Sequence, residues 1–360
     1  SPAPSVYSKL QPIDRTVDYY DARVHHELYS ENILRSGRDW VGEKILGEKP
    51  SKTISLSLPI RNDNDTVFFE CRVIGRSGSD MSYTLYYNDE EFYTDEFASV
   101  NTSSTVEYYG RSMYVKKIIV ASDKKRNDFK ITFKPNSTSD CIWLDYVTVS
   151  SRTNADMTGK DEMFVRTIDS YYNPNKNAEL VTESDSSIQY VVNGAEASYI
   201  VWKISDYLAP QVMQTTFKDG KLSFSHPRCN VEEFVIFNSK GKLEEPEIVG
   251  EVPNQNLHGL SSVNYVIVYH RDFKQQAERL AELHRKYSGI SVIAVDVEEI
   301  YNEFSSGRLD ISAIRDFLNM LYRRGLNSEN QLRNVLLFGD GSYDNKRSPD
   351  NTSSKIPTYQ

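Results

Sequence analysis

The sequence is poor in cysteine and has no long apolar run. Its 360 residues include three cysteines, Cys71, Cys141 and Cys229. Their wide separation excludes a C-x-x-C metal or redox motif and leaves at least one thiol without a disulfide partner. The three cysteines are therefore predicted to be buried and to pack as small hydrophobic side chains. No stretch approaches the roughly 18 apolar residues that span a bilayer, so no membrane helix is predicted.

Clustered positive charge is also scarce. The formal net charge is −9, and the densest basic run, residues 124–126, is only three residues long. Because a nucleic-acid interface needs a basic stripe, no nucleic-acid partner is predicted. The first residues, SPAPSVYSKL, carry neither the basic nor the apolar region of a secretion signal, which was therefore removed or never present.

Tyrosine is abundant, with 24 residues against three tryptophans. This content, coupled with many Ser, Asn and Asp residues, favours an extracytoplasmic β module with half-exposed strand faces. Residues 1 to about 257 carry short segments in which apolar and polar residues alternate. In residues 128–135, Ile131 and Phe133 alternate with lysine and threonine, which is the period of a strand buried on one face. The spacing of such segments predicts a sandwich or jelly roll.

The pattern changes near residue 258 to apolar strands that alternate with amphipathic helices. Strands are predicted at 263–269, 291–295 and 334–338, with helices that begin at Asp272, Asp296 and Asp310. The fold class is therefore multidomain: an all-β N-terminal region followed by an α/β domain with a parallel sheet. The predicted ranges are an N-terminal extended segment at 1–27, a jelly-roll or sandwich domain at 28–152, a second β domain at 153–257 and the α/β domain at 258–360.

The loop after the third predicted strand is the best candidate site. Chemistry in open parallel sheets collects beyond the carboxyl ends of the strands. Two glycines allow positive φ angles or close backbone approach there, so Asp340 can be held in a tight turn. The alternative is that Asp340 and Ser342 only close their own turn. The predicted rim consists of Asp340, Gly341, Ser342, Tyr343 and Asp344.

Motifs for other chemistries are incomplete. Neither G-x-G-x-x-G nor the phosphate-binding P-loop occurs, and Ser342 lacks the G-x-S-x-G context. In HHELYS, Ser30 stands where a second zinc-binding histidine would be needed. The acidic loop at 340–350 misses the calcium-loop positions. No cofactor and no metal ligand is predicted.

Residues 262–360 resemble the start of the gingipain-type cysteine peptidase domain. The resemblance is carried by IYNEFSSGRLDISAIRDF (300–317) and LLFGDGSYD (336–344). Three upstream segments, 28–43, 141–149 and 254–260, resemble the region that precedes this domain in the C-terminal signal peptidases, or sortases, of the type IX secretion system of Bacteroidetes.

The resemblance implies a caspase-like α/β fold and a His–Cys dyad. It also implies a cell-surface protein that removes C-terminal sorting signals from secreted cargo and joins the cargo to lipopolysaccharide. Implied partners are the cargo, outer-membrane components of the secretion system and lipopolysaccharide. Both dyad residues lie beyond PTYQ in this family, so no catalytic residue is assigned. This chain is expected to be an N-terminal part, inactive alone.

Two other readings remain open. In one, residues 1–257 form the inhibitory prosegment of a gingipain-type protease. In the other, residues 28–150 form a carbohydrate-binding jelly roll, with Trp40, Trp143 and the tyrosines as stacking platforms, or a domain that positions cargo or a partner protein. Strand aromatics more often belong to a core.

Overall fold

The computed structural model describes residues 4–8, 12–34, 39–58, 60–62, 65–103, 109–120, 127–167, 186–227, 231–241, 245, 247–342 and 355–357. Their secondary structure is mostly β, with few helices. The chain divides into two compact units, Ser1–Ser30 with Val41–Pro246 and Glu31–Trp40 with Glu247–Gln360. None of the helices within the described residues is long and apolar enough to span a membrane.

The strands up to residue 154 are Ser5–Val6 (β1), Ile13–Val17 (β2), Tyr19–Glu27 (β3), Glu31–Asn32 (β4), Trp40–Val41 (β5), Lys44–Leu46 (β6), Ser51–Ser55 (β7), Thr66–Arg76 (β8), Met81–Tyr87 (β9), Glu90–Phe97 (β10), Arg111–Val120 (β11), Asp128–Phe133 (β12) and Cys141–Asn154 (β13). Those that follow are Glu162–Arg166 (β14), Ser187–Asn193 (β15), Tyr199–Lys203 (β16), Gln211–Val212 (β17), Thr215–Lys218 (β18), Lys221–Pro227 (β19) and Glu233–Asn238 (β20).

In the first unit, two sheets enclose one hydrophobic core. Their strand orders are β11-β8-β13-β3 and β10-β9-β12-β7, and both contribute side chains to the core. The period of two explains this arrangement, because Val67, Phe69, Cys71 and Val73 on β8 all point inward. The alternation predicted around Ile131 and Phe133 is confirmed, since both are buried in the same core.

Two further sheets in this unit enclose a second core. Their orders are β1-β17-β16-β20-β14 and β18-β19-β15-β2. Two strands from the start of the chain complete them, because β1 pairs in parallel with β17 and β2 pairs in parallel with β15. Residues predicted as an extended segment at 1–27 thus add strands to sheets formed by later residues. The four predicted domain ranges stay predictions.

The second unit contains a three-stranded parallel sheet. Its elements are Tyr265–Tyr269 (β21), Lys274–Leu283 (α1), Val292–Asp296 (β22), Val297–Phe304 (α2), Ile311–Arg324 (α3) and Asn334–Phe338 (β23). The order is β22-β21-β23, with both neighbours parallel to the central strand. The parallel pairing predicted for the three apolar segments is confirmed.

Helices pack on both faces of this sheet. Side chains from α2 and α3 form one cluster with Val266 and Val268, and side chains from α1 form another with Ile267 and Tyr269. Successive residues of β21 therefore serve opposite faces, as expected of a strand covered on both sides.

Two of the three predicted helix caps are present. The side chain of Asp296 accepts from the backbone N–H of Glu298, and that of Asp310 accepts from Ser312, so each satisfies a free donor of its first turn. Asp272 is not a cap. The turn before α1 is capped by His270, whose side chain accepts from the backbone N–H of Asp272, and the Asp272 carboxylate accepts from Lys355.

Candidate functional site at the carboxyl edge of the parallel sheet

The three parallel strands end at the same level. Tyr269 of β21 pairs with Asp296 on one side and with Phe338 on the other. His270 and Gly339, which follow β21 and β23, therefore lie with Asp296, the last residue of β22, at one edge of the sheet, where α/β proteins place their ligands.

The predicted rim begins at Asp340, where residues 355–357, the returning segment, come back to this edge of the sheet. The backbone carbonyl of Asp340 accepts from the N–H of Lys355 at 2.8 Å and from that of Ile356 at 3.0 Å. Gly339 permits this close approach, because a Cβ there would lie 2.9 Å from Cγ1 of Ile356. Its φ angle is not positive, so the glycine is required for space and not for backbone conformation.

The other rim residues are placed as follows. Asp340 and Gly341 are exposed and Ser342 is half-buried. Tyr343 and Asp344 lie outside the described residues, so the structure describes three of the five predicted rim positions. Asp340 binds residues 355–356 through its backbone carbonyl. The sequence suggested instead that the side chains of Asp340 and Ser342 would close their own turn.

An ion pair joins the returning segment to the loop after β21. Nζ of Lys355 lies 2.6 Å from Oδ2 of Asp272, and this contact chiefly holds the pKa of the Asp272 carboxyl below its usual range. The same oxygen lies 3.4 Å from Nδ1 of His270. Sequence reasoning missed His270 and Lys355. The first could have been found from its position directly after an apolar strand, whereas the second has no local signal.

The end of β22 is acidic. Burial raises the pKa of Asp296, although Arg271, His270 and Lys274 oppose it. Burial, followed by the charge of Asp296, also raises the pKa of Glu299. Carboxyl groups with raised pKa values often occur at functional sites. Here Asp296 also caps α2, at 3.0 Å from the N–H of Glu298, so its carboxylate has a structural task.

Both described cysteines are buried in the first unit. Cys71 is 0% exposed and Cys141 is 3% exposed. Burial, followed by the charge of Glu70, raises the pKa of the Cys71 thiol, so it stays protonated at neutral pH. Cys229 lies outside the described residues. Among the residues described, no group of three or more His, Cys, Asp or Glu side chains could hold a metal ion.

The two tryptophans suggested as sugar-stacking platforms are buried. Trp143 has no exposed surface, and Trp40 is 4% exposed. Trp143 packs in the first unit between the ring of Tyr109 and Nζ of Lys44, which lies 4.9 Å from its ring centroid. Neither ring offers a face to a sugar, and this corrects the stacking role suggested from the sequence.

Comparison with known proteins shows which family and which solved structures the chain resembles. Residues 258–360 match the model of peptidase family C25. The crystal structure of dimeric latent PorU from Porphyromonas gingivalis superposes with a TM-score of 0.77 and 24% identity, covering 95% of this chain and 32% of that one. The chain thus spans about a third of the length of that PorU structure.

A second structural match covers a smaller share of the chain. The CBM36-1 domain of a multidomain xylanase from the hindgut metagenome of Trinervitermes trinervoides matches with 13% identity and a TM-score of 0.22, over 36% of this chain and 95% of that one. No curated protein matches the sequence. The resemblance seen in the sequence is confirmed by the family match and the PorU-like fold: residues 258–360 match the gingipain family, peptidase family C25.

Proposed function

We propose that this chain is the N-terminal part of a gingipain-type cysteine peptidase of the sortase kind. It supplies the accessory β domains and the first half of a caspase-like α/β peptidase fold. One observation carries the proposal: 95% of the chain shares its fold with PorU, and residues 258–360 within it match peptidase family C25.

The edge strand of the parallel sheet supports the caspase-like half. Within the described residues, β23 pairs only with β21. Its side chains Val335 and Leu337 are 43% and 40% exposed, although the corresponding Val266 and Val268 of β21 are fully buried. The unpaired backbone N–H and C=O groups of an edge strand can pair with another strand. Further strands beside β23, with their own covering helix, would bury Val335 and Leu337 in the complete domain.

The chemistry of the complete enzyme requires a thiolate and an imidazole from outside the described residues. The thiolate attacks the carbonyl carbon before the sorting signal, the C–N bond breaks, and the imidazolium gives its proton to the leaving amine. A hydroxyl or amine group of lipopolysaccharide then attacks the thioester, loses its proton to the imidazole and releases the thiolate. The carboxyl edge with His270, Asp296 and Asp340 would form part of the rim of this site.

The partners and the location belong to the same proposal. Cargo proteins with C-terminal signal domains are the substrates, lipopolysaccharide is the acceptor, and outer-membrane components of the type IX secretion system are the neighbours. The enzyme would act at the cell surface. The similarity to a latent PorU structure supports this placement through the fold they share.

A cleavage assay tests the proposal. A purified cargo protein with its C-terminal signal domain is incubated with the 360-residue chain, or with the full product of the open reading frame that encodes it, with and without iodoacetamide. Mass spectrometry follows loss of the signal and gain of lipopolysaccharide. We expect iodoacetamide-sensitive cleavage and attachment with the full product, and neither with the 360-residue chain.

Two results would contradict the proposal. Thiol-dependent cleavage by the 360-residue chain would show that the nucleophile lies within it. Cleavage of the cargo at many internal sites by the full product, with no attachment, would favour the alternative of a gingipain-type protease with an inhibitory β prosegment.

A further inference from the structure

We propose that the pocket beside the turn at residues 205–209 of the first unit binds a neutral saccharide. The site lies in the second β-sheet pair, away from the buried tryptophans, and does not depend on the proposed peptidase function.

The pocket is small and polar. Its volume is about 390 Å³, within the range of small-molecule sites, and its lining residues are Lys203, Ser205, Asp206, Ala209, Gln211 and Glu232. All of these except Ala209 carry side-chain hydrogen-bonding groups. Ammonium, hydroxyl and amide groups supply donors, and two carboxylates and the amide oxygen supply acceptors. Sugar hydroxyls need both kinds of partner.

Hydrogen bonds and an ion pair hold the side chains at the base of the pocket. Nζ of Lys203 lies 2.9 Å from Oε1 of Glu232, and the hydroxyl of Ser205 donates to Oε2 of the same carboxylate. The Ser205 hydroxyl also accepts from the backbone N–H of Glu233 at 2.9 Å. Lys203 and Glu232 are 18% and 21% exposed, so both are mostly buried but still open to a ligand. Such preorganisation lowers the entropic cost of binding.

The turn beside the pocket presents an aromatic ring. Oδ1 of Asp206 accepts from the N–H of Leu208 at 3.0 Å, and the carbonyl of Asp206 accepts from Ala209 at 3.2 Å. These bonds close the turn and leave Tyr207 and Leu208 81% and 78% exposed between two lining residues. An exposed tyrosine beside polar groups suits the apolar face of a sugar ring.

The charge of the lining disfavours an anionic ligand. Two carboxylates, Asp206 and Glu232, face one ammonium, Lys203, so the lining carries one net negative charge. That charge disfavours phosphate, sulfate and carboxylate ligands. The described residues hold no cluster that could bind a metal ion, so a sugar bound through a metal is not the ligand class favoured here.

Saturation-transfer NMR on the 360-residue chain tests the proposal. The probes are the methyl glycosides of glucose, mannose, galactose and N-acetylglucosamine, each titrated separately. We expect at least one to receive saturation and to bind about tenfold more weakly to Tyr207→Ala, since a lost stacking contact is worth roughly this factor. Gln211→Ala should weaken binding severalfold. Tyr114→Ala is the matched control, because Tyr114 is 63% exposed but lies on β11, in the other pair of sheets.

Circular dichroism confirms that each variant is folded before it is titrated. The proposal is overturned if no probe receives saturation, or if Tyr207→Ala and Gln211→Ala bind as the parent chain does. It is also overturned if Tyr114→Ala loses as much affinity as Tyr207→Ala, or if a tri-lysine peptide binds while no sugar does.

Discussion

The carboxylate of Glu303 on α2 binds the segment that precedes the parallel sheet, with Oε2 lying 2.7 Å from Nδ1 of His258. The same carboxylate accepts from the backbone N–H groups of Leu257 at 2.6 Å and His258 at 2.9 Å, and from Nε2 of Gln255 at 2.9 Å. From the other side, Nη1 of Arg324 donates to the carbonyls of His258 and Leu260. Two charged side chains thus fix the entrance to the C25 segment.

Loss of the charge on Glu303 should loosen this segment. Glu303→Gln removes a carboxylate that accepts four hydrogen bonds, so we expect local stability to fall by about 2–3 kcal/mol. Hydrogen exchange of a peptide covering residues 255–260 should become roughly a hundredfold faster. Glu282→Gln is the control, because that side chain is 69% exposed and its ion pair with Arg285 is a local i,i+3 contact. Equal exchange in both variants would contradict the assigned role.

The same carboxylate predicts acid sensitivity. Burial alone would raise the pKa of Glu303, but the hydrogen bonds from Leu257, Gln255 and His258 prevail and lower it to about 2, from an ordinary value of 4.5. A group whose pKa is lower in the folded state stabilises it fully above the unfolded pKa and loses this effect as pH falls toward the folded pKa. The difference in thermal midpoint between the parent chain and Glu303→Gln should therefore shrink between about pH 5 and pH 2. A constant difference across this range would show that ionisation of Glu303 is irrelevant.

A methyl group at residue 339 should displace the returning segment. The Cβ of Gly339→Ala would meet Ile356 at 2.9 Å and Cβ of Lys355 at 3.1 Å. We expect a cost of about 1–2 kcal/mol and faster exchange of the Lys355 and Ile356 amides, which donate to Asp340. Gly250→Ala is the control, since no atom of the described residues lies within 4 Å of its added carbon. Unchanged exchange at 355–356 would refute the close contact.

The described thiols should resist alkylation in the native state. Cys71 and Cys141 are 0% and 3% exposed. Iodoacetamide followed by peptide mapping should leave both unmodified in the folded chain and modify both in guanidinium chloride. The unfolded sample shows that the reagent works, and peptide mapping separates these two from Cys229. Rapid native labelling of Cys71 would mean that its thiol is accessible, contrary to its burial and raised pKa.

The parallel sheet was predictable because its signals are local. Continuous apolar segments mark β21, β22 and β23, and Asp296 and Asp310 cap the helices within two residues of the donors they bind. Gly289 ends the first helical segment in the left-handed conformation expected after a helix. Each of these features depends on residues close together in sequence.

Long-range contacts were not predictable in the same way. The parallel pairing of β1 with β17 joins residues about two hundred positions apart, and the Lys355–Asp272 ion pair spans 83 positions. The same limit applies to Trp143, whose aromatic character fits both a core and a binding face. Only the position of its strand in the middle of a sheet decides that it is buried.

Hydrogen exchange at β23 tests most directly the claim that this sheet is the first part of a larger peptidase sheet. In a parallel strand, alternate amides point to opposite neighbours, so half of the β23 amides face away from β21. We predict that these outward amides in residues 334–338 exchange rapidly in the 360-residue chain and at least about tenfold more slowly in the full product of the open reading frame. Equal, rapid exchange in both proteins would mean that no further strand joins β23 and would contradict the account.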